Sequence, residues 1–119
     1  MHLSDLVPHA HVTLTRNGAP VIGEREARLL EAVDHVRSIK DAAGAAGISY
    51  RTAWSAIQQM EKALGRPLVV SRAGGPGGGA TTLTDECREL LALYQNVRRR
   101  LDQTLLRARG TLEPAETGD

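Results

Sequence analysis

Hydrogen-bonding and basic side chains are concentrated between residues 49 and 58, within a stretch of helical periodicity. The cluster consists of Ser49, Tyr50, Arg51, Thr52, Ser55 and Gln58. Hydroxyl, amide and guanidinium groups of this kind bind base edges and phosphates in the major groove of DNA. The guanidinium fork of Arg51 matches O6 and N7 of guanine, so we predict a guanine contact there, with Tyr50 and Thr52 on the sugar-phosphate backbone. The alternative is the solvated face of an ordinary helical bundle.

Two helices joined by a tight turn are predicted to position this cluster. Ser38 and Ser49 are each placed to accept the free amide hydrogens at the start of a helix. Gly47 and Gly65 follow the two helices, where a left-handed glycine ends a helix at low cost. The second helix has one face with residues at three- and four-residue spacing, namely Ala53, Trp54, Ile57, Met60, Leu64 and, at its rim, Glu61. This pattern is typical of a helix-turn-helix, and we expect Ile48 to fill its corner.

A strand, a glycine-rich loop and a second strand follow the helix-turn-helix. Residues 68–72 are of β type and end at Arg72, residues 73–80 are AGGPGGGA, and residues 81–83 form a second short run. This order predicts the wing of a winged helix-turn-helix, in which backbone amides of the loop can approach phosphates. We predict DNA-backbone contacts from Arg72, Gly74 and Gly75. A nucleotide-binding P-loop is the alternative, but no Gly-Lys-Ser/Thr follows the glycines.

A β-hairpin and a helix are predicted before the helix-turn-helix. Residues 1–10 are polar and poorly patterned, and we expect a flexible leader there. Residues 11–16 alternate apolar and polar side chains, and Asn17-Gly18 favours a tight turn before the return strand. Residues 24–36 then follow a helical period. The side chains expected to face the core from this helix are Ala27, Leu29, Leu30, Ala32, Val33 and Val36.

A long helix is predicted over residues 85–109, with Thr84 as its cap and Gly110 at its end. Apolar residues at alternating three- and four-residue spacing form a heptad-like seam, for which we predict contact with a second subunit. The seam consists of Cys87, Leu90, Tyr94, Val97, Leu101, Thr104 and Ala108, and it is widened by Leu91, Leu93, Leu105 and Leu106. The subunit contacts predicted from it are Leu90, Tyr94, Val97, Leu101 and Leu105. Packing of the N-terminal half of this helix on the chain's own first helix is the competing arrangement. Residues 110–119 are polar, and we expect a disordered tail.

Length, composition and charge are typical of one small cytoplasmic domain, here residues 11–109. The chain has 119 residues, of which 41% are hydrophobic, and its one cysteine excludes an internal disulfide. No apolar run approaches the roughly 18 residues of a membrane span, and no leader-peptide pattern begins the sequence. The net charge is only +1, but residues 37–79 hold six basic against two acidic residues. Positive charge therefore coincides with the predicted DNA-contacting unit.

One run of the sequence combines three features: a second helix that contains Trp54, a strand that ends at Arg72, and a glycine-rich wing followed by Leu83-Thr84. This run is GISYRTAWSAIQQMEKALGRPLVVSRAGGPGGGATTLTDECRELLALY. This run closely resembles the N-terminal DNA-binding domain of ModE-type molybdate-responsive transcriptional regulators, and more distantly the helix-turn-helix of LysR-type regulators. The likeness spans roughly residues 10–109. Glu61 stands where the ModE pattern often has Asn, and Pro76 where a basic residue is common, so weaker phosphate contacts of the wing are expected.

The resemblance implies a mainly α protein with a small β component, a winged helix-turn-helix that regulates transcription. It further implies binding to double-stranded DNA at an inverted-repeat operator, as a homodimer, with a link to molybdenum metabolism. Full-length members of the ModE family carry an oxyanion-binding module after this domain, and we expect no oxyanion-binding site within this chain. We also expect no cofactor, no metal site and no membrane contact.

Two other functions are considered beside this one. A winged protein-interaction module, or a heterodimer partner of a longer regulator, would have the same fold without DNA specificity of its own. Weak, salt-insensitive DNA binding would favour that alternative. The third class is an enzyme, which we do not expect, because no His, Cys or Ser stands in a recognisable nucleophile or acid/base arrangement.

Overall fold

The computed structural model describes residues 2–74 and 79–111, and it confirms a winged helix-turn-helix that is mainly helical with two small β-hairpins. A 3₁₀ turn at Leu3–Asp5 comes first. Strands β1 (Leu14–Arg16) and β2 (Ala19–Ile22) precede helix α1 (Glu24–Val36). Helices α2 (Ile39–Ala46) and α3 (Tyr50–Leu64) form the helix-turn-helix, and strands β3 (Val69–Arg72) and β4 (Ala80–Leu83) form the wing. Helix α4 covers Asp85–Thr111.

The predicted caps delimit the helix-turn-helix. The hydroxyl oxygens of Ser38 and Ser49 each accept a hydrogen bond of 3.0 Å from the backbone amide three residues further on. Gly47 and Gly65 end α2 and α3 with φ angles of 73° and 77°, a left-handed conformation that favours glycine. Local sequence therefore determines where α3 begins and ends, and so which of its side chains share a face.

The core lies where the first three helices meet the two hairpins. Its most completely buried side chains include Ile22, Leu30, Val33, Ile57, Met60 and Leu68. Two residues expected to be buried are not. Val36, the last residue of α1, is 38% exposed, and Ile48 is 36% exposed. Ile48 does not fill the corner but lines a surface groove between α1 and the turn, and the buried residues of α2 are Ile39, Ala42 and Ala43.

Thr84 joins the base of the wing to α4. Its amide donates a hydrogen bond to the carbonyl of Leu68 (3.0 Å), and its hydroxyl donates to the carbonyl of Pro67 (2.8 Å). The same hydroxyl accepts a hydrogen bond from the amide of Cys87 (3.1 Å), which confirms Thr84 as the N-cap of α4. The antiparallel strands β3 and β4 thus leave the core at a defined position. Residues 75–78, and with them the predicted contact Gly75, lie outside the described residues.

The N-terminal hairpin is attached to the end of α3. Asn17 and Gly18 have φ angles of 51° and 81°, both positive as in the type I′ turn that their sequence predicts. Strand β1 begins three residues later than the alternation of residues 11–16 indicated. The guanidinium of Arg16 donates a hydrogen bond to the carbonyl of Leu64, one of the unpaired acceptors at the C-terminus of α3. The hairpin therefore supports the helix that carries the predicted DNA contacts.

The N-terminal half of α4 packs within its own chain, as the competing arrangement required. Cys87, Leu90, Leu91 and Tyr94 all belong to the core. An ion pair between Arg88 and Asp34 (3.0 Å) holds the same half of the helix beside α1. Leu90 and Tyr94, two of the predicted subunit contacts, are only 9% and 4% exposed. These two side chains therefore belong to the core of their own chain.

The C-terminal half of α4 extends beyond this core. Val97, Leu101 and Leu105 are half-buried, and Leu106 is 66% exposed. The predicted end of α4 at residue 109 is wrong by two residues, because Gly110 lacks a positive φ and the helix continues to Thr111. The carbonyl of Ser4, in the predicted leader, accepts a hydrogen bond from Arg109 (3.0 Å). Most of the predicted tail, residues 112–119, lies outside the described residues.

Candidate nucleic-acid interface

Helix α3 separates its apolar and polar residues as the sequence predicted. Ala53, Ile57 and Met60 are buried, and Trp54 is half-buried beside them. The opposite face is exposed, and it carries Tyr50, Arg51, Thr52, Ser55, Gln58, Gln59 and Lys62. These side chains place hydrogen-bond donors and acceptors on the exposed surface over about three turns of the helix. A helix that binds base edges in the major groove has this arrangement.

Ser49 and Thr52 form a small hydrogen-bonded unit at the start of α3. Besides accepting from the Thr52 amide, the Ser49 hydroxyl donates to the Thr52 hydroxyl oxygen at 2.9 Å. Both side chains are exposed, but part of their hydrogen-bonding capacity is already used. Their positions are therefore fixed by the cap, while Arg51 and Gln58 make no side-chain hydrogen bond within the described residues.

Trp54 orients Tyr50, a relation that sequence reasoning missed. The indole nitrogen of Trp54 donates a hydrogen bond of 2.5 Å to the Tyr50 hydroxyl oxygen. The two residues are four positions apart, the spacing at which helical side chains meet, so this spacing was the available signal. Trp54 thus does more than anchor the helix, because it also fixes the position of an exposed phenol at the edge of the predicted interface.

Two groups among the basic residues of the chain differ in their surroundings. Arg28, Arg88 and Arg98 form ion pairs with carboxylates of α1 and α4. The six basic residues of segment 37–79 are all exposed, and none has an ion-pair partner within residues 2–74 and 79–110; they are Arg37, Lys40, Arg51, Lys62, Arg66 and Arg72. Unneutralised cations on one continuous segment attract a polyanion.

Glu61, one of the two acidic residues of this segment, lies away from the start of α3. Glu61 lies in the last turns of α3, where its carboxylate accepts a hydrogen bond from the amide of Leu68 at 2.8 Å. Sequence reasoning placed Glu61 at the rim of the packed face, and its half-buried position agrees with that placement. Its structural role is to join the end of α3 to the beginning of β3.

The predicted wing contacts that the structure describes are Arg72 and Gly74. Both residues are exposed. Gly79 lies on the returning side of the loop, and a Cβ atom there would be 2.1 Å from the carbonyl oxygen of Arg72. The close approach of the two chain segments therefore requires glycine at this position. This requirement explains one glycine of the loop by packing within the wing rather than by contact with DNA.

Other chemistry has little support in the part of the chain that the structure describes. His9 and His11 meet edge to face with ring centroids 4.8 Å apart. No group of three or more His, Cys, Asp or Glu in residues 2–74 and 79–110 is placed to hold a metal ion. Cys87 is buried, and burial raises the pKa of its thiol to about 11, so the reactive thiolate is disfavoured. No helix within the described ranges has the length and hydropathy to cross a bilayer.

A helix-turn-helix with an attached wing and an exposed, basic second helix defines the winged helix-turn-helix class of regulatory proteins. Comparison with known families gives a narrower assignment. The family model of bacterial regulatory helix-turn-helix proteins of the LysR family matches residues 25–88, more than half of the chain. The chain belongs to this family. The matched segment includes α1, α2, α3, the wing and the first turn of α4.

Curated relatives confirm the resemblance to ModE-type regulators. The molybdenum transport protein ModE of Azotobacter vinelandii is 36% identical over 110 residues, which cover 92% of this chain and 41% of the relative. The molybdenum-pterin-binding protein MopB of Rhodobacter capsulatus is 41% identical over 83 residues, 70% of this chain and 30% of the relative. The transcriptional regulator ModE of Yersinia pestis is 44% identical over 71 residues, 59% of this chain and 27% of the relative. The chain spans less than half the length of each of these relatives.

Proposed function

We propose that this protein is a sequence-specific transcriptional regulator that binds an inverted-repeat operator in double-stranded DNA as a homodimer. The observation that carries the proposal is the exposed polar face of α3, surrounded by basic side chains that have no ion-pair partner within the described residues. A face of this kind needs an anionic partner that also offers hydrogen-bonding groups. The major groove of DNA supplies both.

The proposed contacts divide between bases and backbone. Arg51 is exposed on the first turn of α3 and has the geometry to bind guanine O6 and N7, with Ser55 and Gln58 following along the same face. Tyr50, held by Trp54, and Thr52, held by the Ser49 cap, are assigned to the sugar-phosphate backbone. Arg72 and Gly74 are assigned to phosphates beside the wing.

The proposed homodimer uses the C-terminal half of α4. Because Leu90 and Tyr94 are buried in the core of their own chain, the proposed contact surface is Val97, Leu101, Leu105 and the exposed Leu106. A second copy is the occupant proposed, because the seam is continuous with the part of α4 that already packs on α1. A two-fold dimer places its two α3 helices on half-sites about one helical turn of DNA apart, or a multiple of it.

A role in molybdenum metabolism is proposed from the names of the relatives alone. A molybdenum transport protein aligns with 92% of this chain at 36% identity, and a molybdenum-pterin-binding protein aligns with 70% at 41% identity. We assign the DNA-binding part of that role to this chain, in the cytoplasm, where it meets DNA. No residue described here is assigned to molybdate.

Selection from random duplexes, with affinity followed against salt, tests the proposal. We expect an enriched palindrome and a steep fall of affinity with salt. Arg51→Ala should weaken binding to the selected site by about 1–3 kcal/mol and relax one base position. Arg99→Ala, which removes an exposed arginine from α4, is the matched control and should leave base preference unchanged. If no sequence is enriched and DNA binding is weak and insensitive to salt, the result would instead support a protein-interaction module.

A further inference from the structure

A cleft of about 190 Å³ lies between the start of α2, the start of α3 and the wing. Its lining includes Arg37, Lys40, Tyr50, Trp54, Ser71 and Gly79. Tyr50 belongs both to this cleft and to the exposed face of α3, so the two surfaces are continuous. Neither Arg37 nor Lys40 was among the contacts predicted from the sequence.

The backbone of Arg37 has a conformation that does not favour arginine. Arg37 caps the C-terminus of α1 with φ 61° and ψ 32°, in the left-handed region. The other two helix ends with this conformation, at Gly47 and Gly65, have glycine. A side chain at such a position costs conformational energy that glycine avoids. An arginine that is present despite this cost points to a role for its side chain.

The wing holds Arg37 in place. The backbone amide of Thr81, on β4, donates a hydrogen bond of 3.0 Å to the carbonyl oxygen of Arg37. The residue is thereby tied to the wing on one side and to the end of α1 on the other. Its position relative to α3 and the wing is therefore fixed by the fold rather than by a flexible loop.

The two cationic side chains that line the cleft favour an anionic ligand. Arg37 and Lys40 are both exposed, and neither has an ion-pair partner within the described residues. The described lining contains no carboxylate. Tyr50 and Ser71 line the two other walls, and their hydroxyls, which pair with Trp54 and Thr81, have further hydrogen-bonding capacity. A phosphate group matches two cations and neighbouring hydroxyls.

We propose that Arg37, with Lys40, binds a phosphate of the DNA backbone beside the groove that α3 enters. The inference rests on the proposed DNA binding and extends its contact surface from α3 and the wing to the end of α1. Arg37 contributes affinity and orientation, without contact to base edges. It complements Arg72, which approaches the DNA from the wing.

The test separates the side chain from the backbone conformation. Arg37→Gly removes the charge and also removes the conformational cost of a side chain in the left-handed region. Tm should therefore rise by a few degrees while DNA binding weakens. We expect a roughly tenfold loss of affinity, equal for specific and random duplexes, as for the loss of one charge-assisted hydrogen bond. The slope of log K against log salt should fall in magnitude by about 0.9. Arg37→Lys retains the charge and should retain most of the affinity and the slope.

The outcomes distinguish this inference from the proposed function. Wild-type affinity and salt slope in Arg37→Gly would overturn the phosphate contact while leaving DNA binding intact. A lower Tm in Arg37→Gly would refute the argument that arginine is present at a conformational cost. A changed base preference would also overturn the assignment, because phosphate contacts carry no sequence information. Failure of the wild-type protein to bind any duplex would overturn the proposed function and this inference together.

Discussion

Removal of the Ser49 hydroxyl separates its two roles, as a helix cap and as a residue of the DNA-facing surface. In the wild-type protein this hydroxyl accepts the Thr52 amide at 3.0 Å, one of the free donors in the first turn of α3. Ser49→Ala leaves that amide without its protein partner. Loss of a serine cap costs about 1 kcal/mol of the free energy of unfolding, within a range of roughly 0.5–2 kcal/mol. For a domain of this size, that loss lowers Tm by about 4–8 °C.

Two further variants of α3 complete the experiment. Ser49→Asp restores a capping oxygen and adds a negative charge at the positive end of the helix, so Tm should return to the wild-type value or exceed it. The same carboxylate would face DNA phosphates, so duplex affinity should still fall. Ser55→Ala makes the same chemical change in the middle of α3, where no cap is lost, and should leave Tm unchanged or slightly raised.

Thermal unfolding followed by circular dichroism gives Tm, and fluorescence anisotropy of a labelled duplex gives the affinity. The reasoning about the cap is refuted if Ser49→Ala melts at the wild-type temperature. The assignment of this end of α3 to the interface is refuted if Ser49→Asp binds DNA as tightly as the wild-type protein. Because the two readouts respond in opposite ways to Asp, unfolding of the variant cannot imitate the expected result.

Three other predictions concern chemistry and packing away from base contacts. Because burial raises the pKa of the Cys87 thiol to about 11, the native protein should resist alkylation at pH 8 and react only after unfolding; rapid modification of the native protein would contradict this. The guanidinium of Arg28 is the main group that lowers the pKa of Glu24, so Glu24→Gln should destabilise the protein at pH 7. In urea titrations at several pH values that difference should vanish as pH falls through the lowered pKa, and a constant difference would refute the assignment. Gly79→Ala should lower Tm, because the added Cβ atom would collide with the backbone of Arg72. Gly44→Ala, which has open space around it, should instead raise Tm, because it raises the free energy of unfolding by about 0.5–1 kcal/mol. Equal changes of Tm in the two variants would contradict the packing argument.

Features set by neighbours in the sequence were predictable. The caps at Ser38 and Ser49, the left-handed Gly47 and the Asn17-Gly18 turn all depend on local hydrogen bonding or on allowed φ angles, and the structure contains each of them. The faces of α3 follow from helical periodicity, so the exposure of its polar residues was also predictable.

Features set by long-range packing were harder to predict. A heptad seam does not specify which helix packs against it, and α1 of the same chain covers Leu90 and Tyr94. Ile48 was expected to fill the corner of the helix-turn-helix, but it is 36% exposed. The left-handed conformation of Arg37 has no signal in residue type, because glycine is the usual residue there.

The three hydrogen bonds of Thr84 fix the position of α4 relative to the base of the wing. Since the wing base and the first turn of α4 meet at this one residue, displacement of α4 along its axis must also displace the wing. Each residue of an α-helix adds about 1.5 Å along the helix axis and about 100° of rotation about that axis. In a homodimer joined through the distal part of α4, one residue inserted between Thr84 and Val97 would therefore rotate each DNA-binding face relative to its partner. For the proposed homodimer, the number of residues between Thr84 and the subunit contact would therefore set the spacing of the DNA half-sites.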